Sequence, residues 1–303
     1  MPTRILPSVP SRQVVFLCRR AYSAEAAPLI HVTNLPAPNS GHIRILELNR
    51  PSARNAISKG LLARLGAERF GGAAGVDEKG PTRALVIASA VDTCFCAGAD
   101  LKERRTFTQE ETAEFLANLR GTFSALSALP IPTISAISSL ALGGGLELAL
   151  STHFRVLTSN ATVGLPETRL GILPGAGGTF RLPALIGLPR ARDLILTGRR
   201  VAAPEAYFLG IADRLVEIVP EEGESDGSKI LELARRSALS EAVRLAQEIC
   251  EGGPVAVRAA LEAVSWARED KENEMYQRVV KTEDRDEALK AFQEKRKPVF
   301  KGR

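Results

Sequence analysis

The order in which strands and helices follow one another most constrains the fold of this chain. Up to about residue 220, short apolar segments that predict strands alternate with amphipathic segments that predict helices. The strand pattern is clearest at His42–Asn49, Arg83–Ser89 and Thr133–Ile137. After the acidic, glycine- and serine-containing loop Glu221–Ser228, the sequence predicts helices alone. This order predicts an α/β core followed by a helical C-terminal region.

The 303 residues are predicted to divide into four segments. These are a targeting segment over 1–24, a flexible segment over 25–41, an α/β core over 42–220 and a helical region over 221–303. A hydrophobic content of 45% is sufficient for one large core. The principal helices are predicted at Ser58–Phe70 with Ser58 as its N-cap, Thr108–Leu129, Ile230–Cys250, Pro254–Ala267 and Glu269–Phe292.

The N-terminal segment carries most of the basic character of the chain. Residues 1–24 lack acidic residues and contain the arginines Arg4, Arg12, Arg19 and Arg20. Removing these four charges from the formal net charge of +5 leaves about +1. An arginine-bearing, acid-free segment is typical of a mitochondrial transit peptide, which predicts a protein of the mitochondrial matrix. A disordered tail is the alternative.

Composition argues against several other classes of protein. The longest apolar stretch, Ile131–Leu150, is interrupted by Pro, Ser, Gly and Glu, so no membrane span is predicted. The four cysteines are scattered, and their spacing predicts neither a disulfide framework nor a zinc site. The three histidines are a poor supply for a catalytic triad or a histidine-based metal site. We therefore predict no metal.

Three consecutive glycines open the most informative helix. Gly143, Gly144 and Gly145 follow a predicted strand and precede apolar residues that extend to Leu150. Glycines leave the main chain open to a ligand, and the first N–H groups of a helix lack internal partners. The segment therefore predicts donors for a carbonyl oxygen that gains negative charge. Close packing of helix on strand is the structural alternative, and the G-x-G-x-x-G pattern of a dinucleotide loop is absent.

Two glutamates are candidate acid/base groups. Glu147 lies one turn inside the glycine-initiated helix among apolar residues, where burial would raise its pKa toward the range useful for proton transfer. Glu167 follows Pro166, which stiffens its loop. A helix N-cap or a surface acid is the alternative interpretation of Glu167.

Two further glycine-containing loops follow predicted strands. The loop Phe95–Glu103 predicts a second backbone donor and places Lys102 close to a phosphate. The loop Pro174–Thr179 is richer in glycine but lacks the Gly-Lys-Ser/Thr ending of a phosphate-binding P-loop.

Four segments in register resemble the enoyl-CoA hydratase/isomerase (crotonase) family. The segments are Cys96–Lys102, Ala141–Glu147, Gly164–Thr168 and Leu173–Thr179, and the similarity covers about residues 42–303. The resemblance implies a spiral of β-β-α turns with C-terminal helices that build homotrimers, often paired into hexamers. It also implies addition of water across the C2=C3 bond of an acyl-CoA substrate, without a metal or redox cofactor.

The resemblance implies roles for individual residues. The N–H groups of Ala99 and Gly144 would form an oxyanion hole for the thioester oxygen. Glu147 and Glu167 would hold one water and act as acid and base. The residues expected to bind CoA are Arg54, Asn55, Ala56, Lys102 and Lys295, the last of these from a neighbouring subunit.

Two further segments resemble a subset of the family and concern the acyl group of the substrate. The segment Asp100–Arg104, together with a C-terminal segment that begins at Thr282, resembles family members whose substrate carries a second carboxylate. Arg104 would pair with that carboxylate. The sequence departs from the family pattern at Ser138-Ser139, His153 and Phe180.

Several functions compete with this hydratase prediction. A short-chain enoyl-CoA hydratase and an enoyl-CoA isomerase share the scaffold, although isomerases usually keep only one of the two glutamates. RNA binding would use the first helix, where Lys59 and Arg64 are basic, but the nearly neutral remainder of the chain does not favour nucleic acid. An inactive structural subunit is disfavoured by the two retained glutamates.

Overall fold

The computed structural model describes residues 27–68, 76–77, 80–220 and 226–303. The strands are β1 Ile30–Pro36, β2 His42–Leu48, β3 Val76–Asp77, β4 Gly80–Ser89, β5 Cys94–Cys96, β6 Thr133–Ile137, β7 Leu140–Leu142, β8 Phe154–Thr158, β9 Thr162–Gly164, β10 Arg200–Ala202 and β11 Arg214–Val216. The α-helices are α1 Lys59–Ala67, α2 Leu101–Arg104, α3 Gln109–Ser127, α4 Gly144–Leu150, α5 Gly178–Ile186, α6 Leu188–Thr197, α7 Ala203–Leu209, α8 Gly227–Cys250, α9 Pro254–Trp266, α10 Glu269–Val280 and α11 Glu283–Gln293.

The larger sheet has seven strands, six of them in the order β1-β2-β4-β6-β8-β11, with β3 paired to β4. Strands β2, β4, β6, β8 and β11 are parallel, whereas β1 pairs with β2 in the antiparallel direction. Every residue of β6 is buried. Such burial is expected of a parallel strand that is covered on both faces.

A smaller sheet of four strands has the order β10-β9-β7-β5. The chain passes from β4 to β5, from β6 to β7 and from β8 to β9, and each pair of strands is followed by one or more helices. Each turn of the chain therefore contributes one strand to each sheet. This arrangement confirms the predicted α/β spiral of β-β-α turns.

Helix α8 covers the outer face of the larger sheet. Its small residues Ala234, Ala238, Ala242 and Ala246 recur every four positions and are all buried. Small side chains in one row let a helix approach closely, and α8 accordingly packs on β4, β6 and β8. This helix belongs to the predicted C-terminal region but completes the core of the α/β part.

Two sequence predictions need correction. The predicted flexible segment 25–41 contains β1, whose seven residues pair with β2 and bury Ile30. The predicted helix Glu269–Phe292 is divided into α10 and α11, because the Thr282 side chain accepts the N–H of Arg285 at 3.2 Å and begins a new helix.

Other predictions concern helix ends and the chain terminus. The predicted N-cap is confirmed, since Ser58 accepts the Leu61 N–H at 3.1 Å. The predicted targeting segment 1–24 and part of the loop Glu221–Ser228 lie outside the described residues. Within the described ranges, none of the helices has the length and apolar content that a bilayer crossing requires.

Candidate active site

The start of α4 lies directly against β5. A Cβ atom at Gly145 would lie 2.1 Å from the carbonyl oxygen of Cys96, so only glycine permits this approach. All residues from Gly144 to Leu150 are buried. The three glycines therefore place the N-terminus of a buried helix at the carboxyl end of the smaller sheet.

The loop after β5 meets the start of α4. Gly98 has a φ of +98°, and a Cβ atom there would lie 2.8 Å from the Leu142 carbonyl oxygen and 3.3 Å from the Gly144 nitrogen. The next nitrogen, that of Ala99, is 3.5 Å from where a Gly144 Cβ would stand. Strands β5 and β7 are parallel neighbours, so the loops that follow them end side by side.

The N–H groups of Ala99 and Gly144 are available to a ligand. Among the described residues, the Ala99 N–H donates to no backbone carbonyl. Gly144 is the first residue of α4, where an N–H has no acceptor within the helix. Ala99 and Gly144 both line one cavity.

The carboxyl group of Glu147 is held by main-chain donors. Its Oε1 accepts the N–H of Ala176 at 2.7 Å and the N–H of Gly178 at 2.8 Å. The residue is 2% exposed, and burial raises its pKa. The two N–H donors, followed by the charges of Arg181 and Arg120, oppose that rise. The carboxylate is therefore fixed in orientation, and the cost of burying its charge is partly offset.

Glu167 lies in a different environment within the same cavity. It begins the short 3₁₀-helix Glu167–Leu170 and is 8% exposed. Its Oε2 is buried without a hydrogen-bond partner among the described residues. Burial raises the pKa of Glu167 to about 7; a backbone hydrogen bond opposes the rise, and the charge of Glu147 adds to it. A carboxyl group with this pKa exchanges protons near neutral pH.

The cavity has a volume of about 530 Å³. It brings together five of the predicted site residues, namely Ala99, Arg104, Gly144, Glu147 and Glu167. Its apolar walls are formed by Leu101, Leu116, Leu119, Leu170, Ile172 and Leu173. A ligand here would meet polar groups at few points on an otherwise apolar surface.

Sequence reasoning missed several residues of this site. Arg120 of α3 lines the cavity and donates from Nε to the carbonyl oxygen of Gly175 at 2.6 Å. The N–H groups of Ala176 and Gly178 were also not predicted to hold Glu147. The glycine run at 175–178 was the available signal, because such a run leaves N–H groups exposed.

One predicted CoA-binding residue has another role. Asn55 is fully buried, and its Nδ2 donates to Ser89 Oγ at 2.8 Å and to the Phe95 carbonyl oxygen at 3.0 Å. Its Oδ1 accepts the Arg50 N–H at 2.7 Å. The side chain therefore ties the loop before α1 to β5 and cannot contact a ligand outside the core. This corrects the prediction for Asn55.

The other predicted CoA-binding residues lie outside the cavity wall. The Arg54 carbonyl accepts the N–H of Ala97, and the Ala56 carbonyl accepts from Arg50. Lys102 is exposed beside Leu101, which does line the cavity. Lys295 is exposed beyond the end of α11.

The three departures from the family pattern leave the two carboxyl groups in place. His153 lies against Thr133, with its Nδ1 2.7 Å from Thr133 Oγ1, and burial lowers its pKa to about 4. It is a partly buried histidine held against Thr133. Ser138 and Ser139 are buried, and Phe180 is exposed beneath the guanidinium of Arg181. The described residues contain no group of three or more His, Cys, Asp or Glu side chains able to hold a metal ion.

Two sheets wound as a β-β-α spiral, with two buried carboxyl groups in one cavity, define a protein of the crotonase class. Residues 39–303 match the family described as enoyl-CoA hydratase/isomerase. The chain belongs to this family.

Relatives and a solved structure support the same assignment. The chain is 65% identical to methylglutaconyl-CoA hydratase 1, mitochondrial, of Pyricularia oryzae, over 97% of this chain and 93% of the relative. It is 57% identical to an enoyl-CoA isomerase/hydratase of Zymoseptoria tritici, over 96% and 94% of the two chains. A crystal structure of enoyl-CoA hydratase from Bacillus anthracis superposes with a TM-score of 0.78 at 37% identity, covering 91% of this chain and all of the other.

Proposed function

We propose that this chain is a mitochondrial hydro-lyase that adds water across the C2=C3 double bond of an enoyl-CoA thioester. The observation that supports it most directly is the pair of buried carboxyl groups, Glu147 and Glu167, in one cavity with Ala99 and Gly144. The mitochondrial location follows from the basic N-terminal segment and agrees with the name of the Pyricularia oryzae relative.

The amides of Ala99 and Gly144 bind the thioester oxygen in this proposal. When the water oxygen adds to C3 and loses a proton, negative charge moves through C2 to that oxygen, and the intermediate resembles an enolate. Donors fixed by the main chain stabilise this charge without reorganising, and loss of one such donor typically costs about 3 kcal/mol. The reaction requires no added metal or redox cofactor, because the protein groups move every proton.

The unequal environments of the two carboxyl groups assign their roles. Glu147 accepts two N–H donors, which favour its ionised form, so it takes the proton from water as the oxygen attacks C3. Glu167, with a pKa of about 7 and an unpartnered Oε2, delivers a proton to C2. The proton gained by Glu147 then returns to Glu167 before the next turnover.

The proposed substrate is 3-methylglutaconyl-CoA, as in leucine degradation. The methylglutaconyl-CoA hydratase named among the relatives supports this choice. So does Arg104, a cavity-lining cation that forms no ion pair with the described residues and that we assign to the distal carboxylate. Lys102 is assigned to the CoA phosphates and Lys295 to a CoA on a neighbouring subunit of a trimer or hexamer.

Turnover of two thioesters tests this proposal. The purified chain is expected to hydrate both 3-methylglutaconyl-CoA and crotonyl-CoA, with the higher kcat/KM on the former. A preference for crotonyl-CoA would favour a short-chain hydratase instead. Failure to hydrate either compound, while double-bond migration proceeds, would contradict the hydratase assignment.

The pH profile should report the two carboxyl groups separately. The base Glu147 must be ionised, so kcat/KM rises with pH on the acid side. The acid Glu167 must be protonated, so kcat/KM falls about tenfold per pH unit above its pKa of about 7. Measurement of crotonyl-CoA hydration from pH 5 to pH 9 checks this. A profile that stays flat to pH 9 would remove Glu167 as the proton donor.

A further inference from the structure

Arg120 is a second cation in the wall of the active-site cavity. It lies on α3, one turn after Leu116 and next to Leu119, and all three residues line the cavity. Residues four apart on a helix share a face, so the face of α3 that places Leu116 in the apolar wall also places the Arg120 guanidinium at the cavity. Arg120 is exposed at the edge of this wall, so its guanidinium can meet both solvent and a ligand in the cavity.

Neither Arg120 nor Arg104 forms an ion pair in the described part of the chain, and the charge of Arg120 acts on Glu147 only at longer range. Elsewhere arginines are paired closely, for example Arg50 with Asp100 at 2.7 Å and Arg155 with Asp213 at 2.7 Å. The guanidinium of Arg104 instead lies 5.9 Å from the centre of the Phe115 ring. Arg120 uses only Nε, which donates to the Gly175 carbonyl oxygen.

The contact of Arg120 with Gly175 orients its guanidinium. With Nε held at 2.6 Å, the two Nη atoms keep donors that none of the described residues accepts. A guanidinium offers paired donors that match the two oxygens of a carboxylate. Pre-orientation by the backbone reduces the entropy lost when such a pair forms.

We infer that Arg120 is a specificity-determining residue that pairs with the distal carboxylate of the acyl group, in the same cavity as Arg104. The inference rests on the proposed hydratase function and deepens it. It assigns to this site acyl groups that carry a second carboxylate, as distinct from plain apolar enoyl groups.

A purely structural role for Arg120 makes a different prediction. Gly175 precedes Ala176 and Gly178, whose N–H groups hold Glu147, so Arg120 would then act only by bracing this loop. Arg181 offers a matched control. Its Nη1 donates to the carbonyl oxygen of Ala176 at 2.9 Å, yet it does not line the cavity.

The test compares kcat/KM for 3-methylglutaconyl-CoA and crotonyl-CoA in the wild type, Arg120→Gln, Arg120→Lys and Arg181→Gln. Arg120→Gln is expected to lower the value for 3-methylglutaconyl-CoA roughly 10- to 100-fold more than the value for crotonyl-CoA, which is the usual effect of losing a charge-assisted hydrogen bond. Any effect that acts through Glu147 or its loop should reach both thioesters alike. Arg120→Lys keeps the charge and should retain part of the preference. Arg181→Gln should affect both thioesters equally.

Equal losses on both thioesters in Arg120→Gln would overturn the inference and leave Arg120 as a brace. Unchanged kinetics on both would overturn it as well. Wild-type protein that hydrates only crotonyl-CoA would also exclude the inference while the hydratase function stands. Wild-type protein that hydrates neither thioester would instead contradict the proposed function. Should Arg120→Gln fail to fold, the preference measured in Arg120→Lys decides.

Discussion

Replacing Glu147 or Glu167 with Gln is expected to slow hydration by roughly 10³-fold or more. General acid/base groups typically contribute about 10²- to 10⁴-fold each, and neither amide can transfer the required proton. Acyl-CoA binding should change little, because the amides of Ala99 and Gly144 are untouched. Crotonyl-CoA turnover and calorimetric titration with a saturated acyl-CoA measure the two effects separately. Full activity in either variant would disprove the proposed mechanism.

The pH dependence of stability shows whether the Glu167→Gln variant is correctly folded. The folded-state pKa of Glu167, about 7, exceeds its ordinary value of 4.5. The folded protein therefore binds the extra proton, and the resulting stability is fully present below pH 4.5 and lost as pH rises through 7. The Gln variant does not lose it, so its free energy of unfolding at pH 8 should exceed that of the wild type by up to about 3 kcal/mol. The difference should vanish near pH 4.5.

Replacing Gly145 with Ala is expected to destabilise the fold by roughly 3 kcal/mol and to abolish activity. The new Cβ atom would stand 2.1 Å from the Cys96 carbonyl oxygen, which belongs to the backbone of β5 and cannot rotate away. Over-packing of a tight core costs about 1–3 kcal/mol and forces the backbone to move. Movement of α4 would displace both Gly144 and Glu147. Urea denaturation and crotonyl-CoA turnover measure the two losses.

Gly121→Ala is the matched control for this substitution. Gly121 lies within α3, and a Cβ atom there would meet no other atom within 4 Å. Alanine restricts the unfolded chain and favours helix, so this variant should gain about 0.5–1 kcal/mol with activity retained. Equal stability losses in the two variants would show that the closeness of Gly145 to β5 is not what limits the fold.

Much of the architecture could be predicted from the sequence because local signals agree with the tertiary structure. The apolar strand Thr133–Ile137, the three glycines and the apolar helix that follows each carry an unambiguous pattern, and their order specifies an α/β spiral. Strand β1 was missed because most of its residues are exposed, so it lacks the apolar alternation of a half-buried strand. Helix ends such as Thr282 depend on one side-chain cap within a continuous amphipathic pattern.

The active site was less predictable in its walls than at its centre. A glutamate within an apolar helix is conspicuous, so Glu147 could be identified directly. Arg120 could not be identified from the sequence. A charged residue on an amphipathic helix is expected on the solvated face, and only the fold shows that this position borders the cavity. Asn55 was assigned to CoA by the resemblance alone, and only the fold shows that its side chain is buried and hydrogen-bonded within the core.

The amides of Ala99 and Gly144 belong to the main chain at the ends of two adjacent parallel strands. Neighbouring strands lie about 4.8 Å apart in any sheet, so the main chain brings the two segments that follow β5 and β7 together. In the proposed mechanism, substitutions along α2 and α3 therefore change the wall that contacts the acyl end, while the main-chain amides that bind the thioester oxygen stay in place. A change of acyl specificity would accordingly require substitution of only a few wall residues, with the backbone unchanged.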